Sequence, residues 1–508
     1  MRAALLVPCV ALFACEPAVD ARQPTAVSRE EALRPTDTNS NLLWRYASGD
    51  TVESVANDGG TFRVHFTRAG LNAVPDAAFA SQVEDVYEEV GALYHGPLGY
   101  RLPLSDVNVA PNGGDERFDV YLLDFAGQAD GAFRVDQCPP NLVDRCIGYV
   151  VQENDFAGYG YPSLVVATRI LGSHEYFHAV QAAYDSDQNV VVSEGTAVWA
   201  TERFDPSTSD FEHFVGGYLS DTGRSIDNAP IGPVPAFAYG SAIFFKFLTE
   251  RHDDALIRKL WERLENGQGA PSEPMDQANP TWVIQLDALL KSDYQSSFAA
   301  EFREFAKWNL FTGSAADPTQ SYANGAAYAA VTMNTVQLPY LEEIARYYYA
   351  STQYYFATAQ GRSQVTAQLV NHPGTPVDDT EDLTLWLAVR RNGKNEQLTQ
   401  VTGGQTVDIS GAAVVVAVVN TRRGKVGTAS TQRPGFCLGT PEEVATCATL
   451  IRGDLSDAGA EIDAGVETDA GVEPPPPPMG CGCGMGGEPL ALLALALTLL
   501  FTRGARNA

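Results

Sequence analysis

The segment 173-SHEYFHAVQ-181 places two histidines, His174 and His178, four residues apart, with Glu175 directly after the first. Residues four apart on an α-helix share a face, so both imidazoles can reach one point. Phe177, Val180 and Tyr184 recur at i, i+3 and i+7, an apolar stripe that would seat this helix in a core. The histidines then project to a neighbouring face, as a pair lining a cleft should. With seven histidines in 508 residues, a His-Glu-x-x-His run arises by chance on the order of 0.005 times per chain. Chance is a poor explanation, although a structural pair of helical neighbours stays open at this point.

Outward from this helix the chain reads as strands first and helices after, an α+β signature. Strand alternation is expected in 61-TFRVHFT-67, 118-FDVYLLDF-125 and 146-CIGYVVQEN-154. A helix is expected over 76–96, with Phe79, Val83, Val86, Val90 and Leu93 on its apolar face. Downstream, 242–267 predicts two amphipathic helices meeting near His252-Asp253-Asp254, and 296–313 carries Phe298, Phe302, Phe305 and Trp308 on one face. Beyond about 335, short β-like runs separated by turn signals predict a small β-sandwich. The resulting plan is a polar, exposed lead-in at 22–56, a main domain at 57–330 and a β-sandwich at 335–450. A stalk of repeated Asp-Ala-Gly and polyproline follows at 454–479.

Composition narrows the partners. Sixty-three acidic residues against 34 basic ones give a formal charge of −29, and the absence of any basic cluster leaves no footprint for nucleic acid. The start, 1–21, has Arg2 followed by an apolar run that closes on 12-LFAC-15. It resembles a bacterial lipoprotein signal with Cys15 as the lipidated residue; a plain secretory signal cut nearby is the other reading. At the far end, 480–508 sets a Gly-Cys motif before an apolar run and Arg503 and Arg506. That order resembles myxobacterial C-terminal sorting signals, the alternative being a simple tail anchor. Cys138 with Cys146, and Cys437 with Cys447, form two local pairs, which in an oxidising compartment predict two short disulfides. A metal site built from these four lacks the Cys-x-x-Cys spacing that would support it. Export to the outer membrane, cell surface or medium is expected, with membrane contact only through the terminal anchors and a monomeric state.

His-Glu-x-x-His on a helix is the zincin arrangement, in which two neutral imidazoles bind Zn²⁺ and the glutamate takes a proton from water. A catalytic zinc needs a third protein ligand. The metzincin type requires a glycine and a third histidine shortly after the second, and 179-AVQAAY-184 has neither. Sixteen residues after His178, 193-SEGTAVWATE-202 presents Glu194. This block resembles the Asn-Glu-Gly-Phe-Ala segment of gluzincin aminopeptidases, although the interval is shorter and serine replaces asparagine. The resemblance implies His174, His178 and Glu194 as zinc ligands and Glu175 as general base; an acid favoured by a helix dipole is the plainer reading of Glu194. The segment 237-FAYGSAIFFKFL-248 is similar to the one carrying the oxyanion-binding tyrosine, which makes Tyr239 a candidate for that role, against simple packing. Glu202, eight residues after Glu194, is a candidate for orienting a ligand histidine.

The whole layout resembles a family of myxobacterial surface metalloproteases, which implies a zincin-like domain: a small mixed sheet, an active-site helix and a helical subdomain. The function implied is hydrolysis of peptide bonds in protein or peptide substrates. No Gly-x-Met-Glu-Asn block for holding a free N-terminus is present, so endopeptidase action is expected over aminopeptidase. The 146–154 strand is the expected partner for an extended substrate. Two readings compete: a surface adhesion protein whose zincin domain is weakly active or inactive, and a zinc hydrolase acting on something other than peptide.

Overall fold

The computed structural model describes residues 33–453, apart from 39, 41, 228–233, 269–280, 376–378, 403 and 424–430. The expected signal at 1–21 with Cys15, the stalk at 454–479 and the tail at 480–508 lie outside the described residues.

Five strands, β1 (Glu53–Val55), β2 (Phe62–Phe66), β3 (Phe118–Leu123), β4 (Gly131–Gln137) and β5 (Ile147–Glu153), make one sheet. Their order is β1-β2-β3-β5-β4, with β2, β3 and β5 parallel and β1 and β4 antiparallel to their neighbours. The alternating segments became β2, β3 and β5. The edge strand β4 carried no such alternation, because its second half exposes Val135 and Gln137 while the Asp136 side chain between them is buried. This order corrects the expected substrate strand. β5 is hydrogen-bonded on both sides, and its neighbour β4 is one of the two edge strands, β1 being the other.

Helix α1 (Ala77–His95) starts where Asp76 caps it, the Oδ1 atom accepting from the Phe79 N–H at 2.9 Å. It buries Phe79, Val83, Val86 and Val90. With α2 (Leu164–Ala182) it covers one face of the sheet, through an aromatic cluster of Phe62, Tyr87, Phe118 and Tyr176. The opposite face buries Tyr121, Tyr149 and Val151 under Tyr46. The described lead-in is therefore anchored at Arg34 and Tyr46, although other residues such as Leu43 stay exposed as expected. Arg34 is fully buried and pairs with Asp106, Asp119 and Asp136 at 2.7, 2.9 and 2.5 Å, and the Tyr46 hydroxyl donates to the His65 carbonyl at 2.9 Å. Its polar composition hid this, since the polar groups are consumed in buried pairs.

The helical part comprises α3 (Val190–Phe204), α4 (Asp210–Leu219), α5 (Ala236–Gly240), α6 (Ala242–Arg251), α7 (Ala255–Leu264), α8 (Trp282–Asp293) and α9 (Phe298–Trp308). Phe244 of α6 sits amid Trp282, Phe298, Phe302 and Phe305, so the aromatic face read at 296–313 finds its partner. Short strands follow: β6 (Asn334–Thr335), β7 (Tyr340–Glu342), β8 (Tyr347–Tyr348), β9 (Ser351–Thr358), β10 (Gln364–Val370) and β11 (Leu383–Arg391). Then come β12 (Lys394–Val401), β13 (Val407–Asp408), β14 (Ala413–Asn420), β15 (Thr431–Gln432), β16 (Gly435–Gly439) and the final helix α10 (Pro441–Arg452). Sheets β12-β11-β14-β9-β6 and β13-β10-β16-β7 enclose a core that includes Tyr355, Leu387, Val416, Val365 and Phe436.

The outer face of the larger sheet is not solvated. Tyr354, Val415, Ala417 and Val419 join the core of the helical part. The Tyr354 hydroxyl donates to the Ala306 carbonyl at 2.8 Å, and Asn395 Nδ2 donates to the Leu310 carbonyl at 2.6 Å. The two expected disulfides, Cys138–Cys146 and Cys437–Cys447, are formed. The whole is a mixed α and β structure of the α+β kind. Among the described residues no helix is long and apolar enough to cross a membrane.

Candidate metal centre

Helix α2 lies between sheet and helices and is buried almost all round its C-terminal half. Its chain leaves through a tight turn and re-enters as α3, capped by Asn189, whose Oδ1 accepts from the Val191 N–H at 2.8 Å. That short return brings Glu194 of α3 against His174 and His178 of α2. His174 Nε2 and His178 Nε2 are 3.1 Å apart, and Glu194 Oε2 lies 3.2 Å from the first and 3.5 Å from the second. All three side chains are buried, with their candidate ligand atoms within 4.8 Å of one another.

These spacings permit a test of fit. Zinc bonds nitrogen and oxygen at about 2.0–2.1 Å in tetrahedral geometry, which sets neighbouring ligand atoms about 3.3 Å apart. The observed 3.1, 3.2 and 3.5 Å match that triangle. The residues fit a divalent ion such as zinc.

Neighbours complete the arrangement. Glu175 Oε2 accepts from the Phe133 N–H of β4 at 2.8 Å, so the edge strand and the expected general base touch directly. Gly131 makes this approach possible, since a Cβ there would come within 3.1 Å of Glu175 Cγ and 2.9 Å of Leu171 Cδ1. The Tyr239 ring lies 6.1 Å from that of His174 and stacks on Phe214 of α4 at 5.1 Å. The structure thus gathers Glu175, Tyr239 and the three candidate ligands in one place.

Glu202 does not join them. Its carboxylate accepts from Lys246 Nζ at 3.2 Å, and burial raises its pKa, with Lys246 opposing. The side chain that contacts a candidate ligand histidine is Gln181, whose Oε1 lies 2.8 Å from His178 Nδ1. Gln181 Nε2 in turn donates to the Ser193 carbonyl at 2.8 Å and to Thr196 Oγ1 at 3.0 Å. One amide therefore fixes the imidazole and ties α2 to α3. The sequence signal for it was faint, a polar residue three after His178 on an otherwise apolar helix end.

No protein-family model and no curated protein sequence matches the chain. Among solved structures, the crystal structure of Legionella pneumophila aminopeptidase A in complex with aspartic acid aligns with 74% of this chain at 10% identity, with a TM-score of 0.30. The chain spans 36% of that protein's length.

Proposed function

We propose that the protein is a zinc-dependent endopeptidase of the gluzincin type on a zincin-like domain, exported and held at the cell surface by its termini. The observation that carries this reading is the buried triangle of His174, His178 and Glu194, spaced for one tetrahedral ion and flanked by Glu175. When bound, zinc supplies Lewis acidity, polarising a carbonyl and lowering the pKa of water toward about 7.

The remaining work falls to the chain's own groups. Glu175, steadied by the Phe133 N–H, takes a proton from the attacking water and returns it to the leaving amine. The Tyr239 hydroxyl donates to the oxygen on which negative charge develops. An extended peptide adds to the open edge of β4 as a further strand, which lays its backbone across Glu175. Gln181 holds His178 in one tautomer and orientation. The two disulfides fit an oxidising compartment, in keeping with export.

Metal analysis of the purified protein tests the foundation. One equivalent of zinc per chain is expected in the wild type, with strong depletion in His174→Ala and in Glu194→Ala. Zinc retained by both variants would place the metal elsewhere and remove the reading.

A further inference from the structure

Tyr239 sits on α5, a helix of five residues whose N-cap, Pro235, makes no side-chain capping bond. A single turn of helix has too few hydrogen bonds to persist by itself, so the direction of Tyr239 is set by what packs against α5. On one side the Ser241 hydroxyl donates to the Val191 carbonyl at 2.9 Å, which joins the end of α5 to α3 three residues before Glu194. On the other side α4 meets α5 backbone to backbone. A Cβ on Gly217 would strike the Ala236 carbonyl, and one on Gly240 would come within 2.8 Å of the Phe214 carbonyl oxygen. The two glycines admit an approach that a side chain would block.

Phe214 uses this seam. Its ring stacks on that of Tyr239 with centroids 5.1 Å apart and planes 24° apart, the geometry of an attractive aromatic pair. The Tyr239 ring in turn lies 6.1 Å from that of His174, at 36°. Tyr239 is only 4% exposed, whereas Phe214 is partly buried at the margin of the main core. Losing the Phe214 ring therefore costs less than emptying a sealed site, and its chief effect falls on the ring it touches. A hydroxyl that donates to a developing oxyanion has to be held within about 0.5 Å of its working position. A freely turning tyrosine does not meet that demand.

We infer that Phe214 is a positioning residue: its ring, brought in by the close contact at Gly217 and Gly240, holds Tyr239 at the metal centre. The assignment rests on the peptidase reading for what Tyr239 does there, and on geometry alone for the hold.

Two measurements on the zinc-loaded full chain test it, with melting curves confirming the fold of each variant. In peptide cleavage, Tyr239→Phe should lower kcat about a hundredfold. Phe214→Leu should lower kcat about tenfold with KM changed less than about twofold, and Phe214→Tyr, which keeps the ring, should stay within about twofold of wild type. Added to Tyr239→Phe, Phe214→Leu should cost less than about a further twofold. An unchanged kcat in Phe214→Leu, or the same loss with and without the Tyr239 hydroxyl, overturns the inference. The second measurement needs no turnover. With 3-fluorotyrosine in place of Tyr239, the excess width of the fluorine resonance in cobalt(II)-loaded over zinc-loaded protein falls steeply with distance from the metal. Phe214→Leu should change that excess about twofold or more as the ring leaves its rotamer, and Phe214→Tyr should leave it as it is. An equal excess in the wild type and Phe214→Leu overturns the inference whether or not peptides are cut. A changed excess in a protein that cuts nothing would keep the hold on Tyr239 and discard the peptidase reading.

Discussion

Gln181 shows how much of a centre can rest on a residue that bears no ligand. Its amide bonds His178 with one end and the α3 backbone with the other, so replacing it by methionine frees the imidazole to rotate. Zinc affinity should fall about 10–100-fold, measured by chelator competition, with little loss of folded protein. An unchanged affinity would mean the imidazole is held by other means. The candidate ligand residues were legible because metal chemistry demands fixed residue types at fixed helical spacing. Gln181 was not, since amides serve many roles and spacing alone selects none. Asp185, in the turn after α2, offers a test by pH. Burial pushes its pKa up to about 8, against about 4 in an unfolded chain. Between those values the folded protein holds a proton that the unfolded chain has released. Its contribution is therefore fully present below about pH 4 and is lost as pH rises toward 8. Asp185→Asn, with the Gln188 amide able to turn its buried Oε1 to the new donor, should gain stability over the wild type between pH 5 and 8. The gain is at most about 1.4 kcal/mol per pH unit, read from denaturation midpoints, and it should vanish near pH 4.

At the scale of elements, the site depends on how closely α3 approaches α6. Gly195 follows the candidate ligand Glu194, and a Cβ there would lie 2.3 Å from Ser241 Oγ and 2.7 Å from Phe245 Cε2. Ser241 cannot easily yield, because its hydroxyl donates to the Val191 and Ala238 carbonyls at 2.9 and 2.6 Å. Gly195→Ala should therefore cost about 1–3 kcal/mol in urea denaturation and weaken zinc binding as α3 shifts. A neutral result would show that the helices can separate at no cost. Elements were readable from sequence where one face is buried and the other wet, as in α1 and α9. The edge strand β4 and the lead-in escaped for a shared reason: their order comes from tertiary partners. β4 gains its place by pairing with β5, and Arg34 by three aspartates that the chain supplies 72 to 102 residues later. Local pattern carries no trace of such contacts.

Across the whole molecule, the core runs without a break from the helical part into the larger β-sheet. Removing everything after residue 330 would expose the apolar face that Tyr354, Val415, Ala417 and Val419 now cover. Such a truncated chain should lose its cooperative melting and bind hydrophobic dye, whereas a soluble, cooperatively folded product would show that the sheets are an accessory. The β-rich texture after 335 was evident in the sequence, but its dependence on α9 was not, because Val-rich strands look the same whether one face or two are covered. The claim on which the account turns is that Glu175 does chemistry at a metal centre. The most direct measurement compares digestion of an unstructured protein by the zinc-loaded wild type and by Glu175→Ala with the same zinc content. Cleavage by the wild type, chelator-sensitive and reduced at least about a thousandfold in the variant, is the expected result. Equal zinc in both proteins with no cleavage by either, or with equal cleavage by both, would contradict it.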